Sequence, residues 1–299
     1  MVILSSDVTF SGFKVTEAVG QGIASIGGLN NGEIGHIAIS HSDVVDNDQG
    51  FGLANTPYYL CQPPGFGDCG EAVYFSGVDY SSVSDSNISD NSGGVLLTDD
   101  TGPTHGNLVT GNVVNGNSTD CGITVPGHNP NALSATGQLQ PNVAGVYNNV
   151  ISRNVITDNG VAGEGAGVLF ANESNGTASY NNLVLDNYIE GNGLSGVTMH
   201  AHVIATGQFE DLSGNNVIGN VIAKNNVDGD TLDDPPFPPE DLVTTGILVY
   251  SGGTPVTTTV AGNYVFDDSI GIWLSKAVTA SGLPSNRFHD VTTQISSGN

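Results

Sequence analysis

Three copies of one asparagine-punctuated motif govern the centre of the chain. Asn149-Val-Ile-Ser-Arg-Asn154-Val-Ile-Thr-Asp-Asn159-Gly is followed by Asn182-Leu-Val-Leu-Asp-Asn187-Tyr-Ile-Glu-Gly-Asn192-Gly. Asn215-Asn-Val-Ile-Gly-Asn220-Val-Ile-Ala-Lys-Asn225 comes next. The copies begin 33 residues apart, and a fixed period in that range marks stacked structural repeats. Asparagines recur every five residues with aliphatic residues between them, and helical periodicity is absent. Short Val/Ile runs cut by Asn and Gly read as strands of a few residues, because Asn and Gly tolerate the left-handed backbone of tight turns. A chain that repeats such units coils, each turn hydrogen-bonding to the next at about 4.8 Å.

A second element extends the coiling beyond the asparagine copies. Gly94-Val-Leu-Leu, Gly122-Ile-Thr-Val, Gly167-Val-Leu-Phe, Gly196-Val-Thr-Met, Gly246-Ile-Leu-Val and Gly271-Ile-Trp-Leu share one pattern, with weaker versions at Gly22, Gly52 and Ala72. Strand alternation turns Val95/Leu97, Ile123/Val125, Val168/Phe170, Val197/Met199, Ile247/Val249 and Ile272/Leu274 inward and the residues between them outward. The expected fold is all-β: one parallel β-helix domain over residues 1–299, with about nine coils. Met1 to Phe10 reads as the middle of a strand, which predicts that a leader and an N-terminal cap have been removed; residues Gln294–Asn299 are expected to fray. Coil length varies through inserts at Pro126–Val146, Val203–Asn215 and Asp228–Val243, and inserts of repeat proteins gather on one face, often the binding face.

Charge narrows the partners. A formal net charge of -25 arises beside only five bases, Lys14, Arg153, Lys224, Lys276 and Arg287. Nucleic acid and anionic membrane are therefore excluded as partners, since phosphate binding needs clustered Lys and Arg. No segment has the ~18 apolar residues of a membrane span. Cys61 and Cys69 bracket a Pro/Gly loop that a disulfide would close, a reading favoured over metal binding by the pair because no further Cys or His sits at a zinc spacing, and Cys121 is expected to be buried.

The paired Asn-x-Ile-x-x-Asn coils resemble those of right-handed parallel β-helix proteins of the pectate-lyase-like superfamily, especially the NosD-like branch of carbohydrate-binding and sugar-hydrolase repeats. That resemblance covers about Val8 to Phe288. It implies a right-handed coil and a secreted, cell-surface or periplasmic monomer whose partner is an extracellular polysaccharide. It leaves open whether the chain hydrolyses, eliminates, epimerises or only binds.

Stacking the glycine-led strands in register places a column of polar residues just beyond them. Asp100, His128, Glu173 and His202 fall on four successive coils, with Asp99 beside the first and His105 shortly after it. His200, Tyr250, Lys276 and the outward Trp273, a candidate sugar platform, complete a possible substrate-binding set. The plainer reading is that these side chains cap turns. The catalytic reading pairs Asp100 or Asp99 with Glu173, two coils and about 9–10 Å apart, near the ~6.5–9.5 Å of inverting glycosidases, with His128 and His202 assisting. Asp99-Asp100 followed by Gly127-His128-Asn129 is similar to polygalacturonase-type glycosidases, although the Asn-Thr-Asp and Arg-Ile-Lys elements of that pattern are missing. A lyase or epimerase would use His200 or His202 as base and Ca²⁺ on Asp99, Asp100 and Glu173. His200 and His202, with His128 and Glu173, would alternatively hold a transition metal. No cofactor is fixed by the sequence.

Overall fold

The computed structural model describes residues 1–28, 32–47, 70–162, 165–172, 174–201, 203, 205, 207–227 and 244–298. The inserts around Cys61–Cys69 and 228–243, together with Glu173 and His202, lie outside the described residues.

The strands form four parallel sheets that run along one axis. Among the described residues sheet A has ten strands, sheets B and C nine each, and sheet D five. One coil shows the order: Gly93–Thr98 in A, Thr104–His105 in D, Leu108–Thr110 in B, Val113–Asn115 in C, then Ile123–Gly127 back in A. This is the parallel β-helix expected from the repeats. The inward residues of the glycine-led strands are buried, and they join Ile88, Val114, Ile156, Ile189 and Ile222 of sheet C in one apolar cluster from Ile3 to Leu274. Among the described residues no helix is long and apolar enough to cross a membrane.

The asparagines sit differently from the turn role that their type suggests. The left-handed residue is the one before each ladder asparagine: Arg153 (φ 55), Asp158 (φ 56), Asp186 (φ 54), Gly191 (φ 73) and Lys224 (φ 50). The asparagine itself points into the coil and is buried. Asn154 donates from its backbone N and its Nδ2 to Asn187 Oδ1 (2.9 and 3.0 Å), and Asn187 does the same to Asn220. Parallel ladders run through Asn107, Asn149, Asn182 and Asn215, and through Asn91, Asn117, Asn159, Asn192 and Asn225. The corners of a coil break the strand hydrogen bonding, and buried backbone groups there need partners. An amide side chain offers an acceptor and two donors, so one residue type satisfies the coils on both sides.

The leading glycines answer a packing demand. A Cβ on Gly167 would lie 2.4 Å from Ile189 Cγ2 and 2.6 Å from the Gly196 carbonyl oxygen, and Gly122, Gly196 and Gly246 are equally crowded. Gly167→Ala is therefore expected to cost about 2–3 kcal/mol through overpacking. An unfolding free energy from denaturant curves within about 0.5 kcal/mol of the parent would contradict this close approach.

Candidate functional site

The polar column begins where sheet A ends. Gly127, Asn172, Ala201 and Ser251 are consecutive register partners, so the residues that follow them start the corner on successive coils. Of the four column residues, the structure brings Asp100 and His128 together; Glu173 and His202, one residue past Asn172 and Ala201, lie outside the described residues.

His128 Nδ1 is 3.0 Å from Asp100 Oδ1 and 3.0 Å from Thr98 Oγ1. The other Asp100 oxygen accepts from the Tyr74 hydroxyl at 2.7 Å. A carboxylate can only accept, so this network puts the imidazole proton on Nδ1 and makes Nε2 the basic nitrogen of the neutral ring. Burial alone would raise the Asp100 carboxyl. The bond and charge of His128, with Tyr74 and Thr98, outweigh it and hold the group below the usual carboxylate range. An acid held ionised in this way is a poor proton donor at neutral pH, so the geometry fits Asp100 as an orienting base-side partner rather than the acid of a hydrolytic pair.

Asp99 faces the other way and is fully buried. Its Oδ1 accepts from the backbone N of His128 (2.7 Å) and Asn129 (3.0 Å), and its Oδ2 from Gly145 N (2.7 Å). Burial pushes its pKa up to about 6 against the pull of these three amides. It therefore pins both ends of the 126–146 insert and is not presented to a substrate. Of the set expected for Ca²⁺, Asp99 is bonded to three backbone amides and Asp100 to Tyr74 and His128, while Glu173 lies outside the described residues.

The insert folds over the same corner. Leu133 N donates to Gly176 O (2.8 Å), and Gly176 N to Phe209 O (2.8 Å), so three successive connections pack against one another. Between them lies an open cleft of about 490 Å³, lined among others by Pro130, Leu133, Gln140, Asn175 and Phe209. Pro130 follows His128 by two residues in the sequence, but neither Asp100 nor His128 lines this cleft.

The remaining expected residues disperse. Trp273 is 3% exposed and packs with Leu248, Tyr250 and Ile270, so it is no open platform. Strand alternation gives its outward direction correctly, but the outer side of sheet A is itself shielded there. His200 and Tyr250 are register partners on that shielded face and are likewise buried. Lys276 is exposed but stands in register four coils, about 19 Å, from Gly127. His105 projects from sheet D, where it belongs to a stack that the sequence reading missed.

That stack runs up the outer face of sheet D. Tyr80 meets His105 edge-on with centroids 5.3 Å apart, His105 lies flat on Tyr147 at 4.7 Å, and Tyr147 on Tyr180 at 5.0 Å. His105, Tyr147 and Tyr180 each stand two residues before a ladder asparagine, Asn107, Asn149 and Asn182, and this offset was the available signal. Because the rings cover one another's faces, the stack is largely self-satisfied.

Comparison with known families returns two matches. The family described as periplasmic copper-binding protein (NosD) matches residues 6–196, and the right handed beta helix region matches residues 131–288. No curated protein sequence matches the chain. Three solved structures are similar to the chain at low identity. An alginate lyase from Paenibacillus sp. str. FPU-7 has 13% identity and a TM-score of 0.45, over 96% of this chain and 99% of that one. PfbA, a surface adhesin of Streptococcus pneumoniae, has 11% identity and a TM-score of 0.41, over 98% and 83%. DFA-IIIase from Arthrobacter chlorophenolicus A6 without its lid has 12% identity and a TM-score of 0.43, over 92% and 72%. At these values the likenesses bear on no residue of the site.

Proposed function

The chain belongs to the family described as periplasmic copper-binding protein (NosD), built as a right-handed β-helix, and on that premise we propose an extracytoplasmic protein that binds and processes polysaccharide at the Asp100–His128 corner. The observation that carries this reading is the ionised Asp100 fixing the His128 tautomer at the end of sheet A, beside the 126–146 insert. An imidazole so oriented is suited to take a proton, the first step in elimination from or epimerisation of a uronate. Hydrolysis by two carboxyls is the second reading; it requires Glu173, the residue that follows Asn172 in the sequence, as the partner acid. The acidic surface favours a sugar polymer that is neutral or has its charge balanced by a cation.

The test is a panel of neutral and acidic polysaccharides, with and without chelator. Unsaturated ultraviolet-absorbing ends would report elimination, and reducing ends without that absorbance would report hydrolysis. Loss of general-base catalysis in His128→Gln, and of its orientation in Asp100→Asn, is expected to cost about 10²-fold or more. Asp43→Asn, an exposed change on sheet C, should leave the rate unchanged. Full activity in His128→Gln would remove the site. Retention of a polysaccharide without any cleavage, lost in the His128 variant, would reduce the reading to binding alone.

The family's description also carries copper, and the described residues can be tested for fit. Cuprous copper asks for thiolate or thioether ligands. Burial pushes the Cys121 thiol well up, Cys121 Sγ accepts from Ala166 N, and Met199 is in the core, so none of them fits a cuprous site. Cupric copper takes imidazole and carboxylate, and among the described residues one imidazole and two carboxylates come together beside sheet D.

A further inference from the structure

Glu33, Asp79 and His105 each offer a ligand atom, and the three atoms all lie within 4.8 Å of one another. We propose that they form a site for one divalent transition cation on the outer face of sheet D, apart from the Asp100–His128 pair and independent of the polysaccharide reading. Two carboxylates and one imidazole suit Zn²⁺ or Cu²⁺, in which the imidazole supplies the borderline-soft donor and the carboxylates the charge.

The fold explains why the three converge. Asp79 and His105 are direct register partners on adjacent strands, both outward. The next position along the same rung, Gly35, has no side chain; a Cβ there would lie 1.8 Å from Asp79 Oδ1, so the carboxylate fills the space that glycine leaves. The His105 ring is held between Tyr147, parallel at 9°, and the edge of Tyr80, which directs Nε2 at Glu33 Oε2, 3.0 Å away. The imidazole is thus oriented by its neighbours before any ion arrives, as ligands of metal sites usually are. Glu33 is the exposed member of the three, and its longer side chain is the one best able to adjust around an ion. Neither Glu33 nor Asp79 pairs with a lysine or arginine among the described residues, so the negative charge there is met only by His105.

An ion pair between His105 and Glu33 alone is the simpler account, and the two differ in what Asp79 does. In an ion pair Asp79 is a bystander; in a metal site it is a ligand. Equilibrium dialysis of the full chain against Zn²⁺ or Cu²⁺, with Ca²⁺ in excess as competitor, tests this directly. About one tightly held ion per chain is expected, together with the nitrogen coupling of one imidazole in the electron paramagnetic resonance spectrum of the Cu²⁺ form. Asp79→Asn and His105→Gln should each weaken binding by about 10–100-fold, and the nitrogen coupling should vanish in the histidine variant. His289→Gln removes an exposed histidine beside Asp290, at 3.3 Å, that has no third ligand group among the described residues, and should change nothing. Unchanged melting of ion-free Asp79→Asn would show that the fold is intact. Equal uptake by the parent and Asp79→Asn would overturn the site. So would displacement of the ion by Ca²⁺ in a manner indifferent to His105→Gln.

Discussion

Asn187→Ala is expected to lower the stability of the folded chain by about 3–5 kcal/mol. Its Oδ1 accepts from Asn154 N (2.9 Å) and Nδ2 (3.0 Å), and its Nδ2 donates to Asn220 Oδ1 (3.0 Å) and Ile151 O (3.0 Å). Alanine removes all four bonds, each worth about 0.5–1.5 kcal/mol net, and strips the buried Asn154 N of its acceptor, although Asn154 Nδ2 keeps Val109 O and Asn220 Oδ1 keeps the backbone N of residue 187. The loss is not local, because each rung orients the next. Serine at the same position should cost about half as much, since Ser86 already serves this ladder by accepting from Ser42 N with its hydroxyl at 3.2 Å. Asp186, the left-handed residue before it, makes the internal comparison: Asp186→Ala should cost only about 1–2 kcal/mol of backbone strain. Denaturant unfolding of the three variants orders these effects. A loss under about 1 kcal/mol for Asn187→Ala would mean that the ladder is ornament on a coil held by its apolar core.

Asparagine spacing and the glycine-led strands made the coiling legible, because both motifs answer demands that recur at every turn. Each corner needs an amide and each approach needs a missing Cβ. Register followed from the same repeats, and with it the meeting of Asp100 with His128 across adjacent coils. What repeats do not encode is coverage. Alternation told which way Trp273 points but not that the outer side of sheet A is shielded around it. Asp99 and Asp100 are neighbours of one type, yet one turns into the base of the 126–146 insert, a direction set by where Gly145 and Asn129 present their amides. The rung positions of sheet D escaped because their residue type changes, Asp79, His105, Tyr147, Tyr180, while only the offset of two from the ladder residue, Ser81, Asn107, Asn149 and Asn182, is constant.

Asp268→Asn is expected to stabilise the protein at pH 8 and to leave it nearly unchanged at pH 4. Asp268 is the next rung of the ladder that runs Asn159, Asn192, Asn225, and Asn225 N donates to its Oδ1 at 3.0 Å. It is 1% exposed, and its Oδ2 has no hydrogen-bond partner among the described residues. In the rungs before it the corresponding atom is an amide nitrogen donating to a strand carbonyl, as Asn225 Nδ2 does to Ile189 O. An ionised oxygen placed there meets no donor, and burial, reinforced by the charge of Asp267, pushes the pKa from 3.8 to about 7 in spite of the Asn225 and Lys224 amides. The folded chain therefore keeps a proton that the unfolded chain releases near pH 4. Stability from this group is full below that value, falls as pH rises from about 4 to about 7, and is lost above, by about 4 kcal/mol at most. An asparagine is neutral throughout and restores the missing donor, so the variant should exceed the parent by about 2–4 kcal/mol at pH 8. Asp99, raised to about 6, adds a slope of the same sign to both proteins, so the difference between them is the quantity to read. The measurement is a pair of denaturant curves at each pH. A gap of the same size at pH 4 and pH 8 would show that the carboxyl is solvated or paired and that the ladder does not need an amide at its final rung.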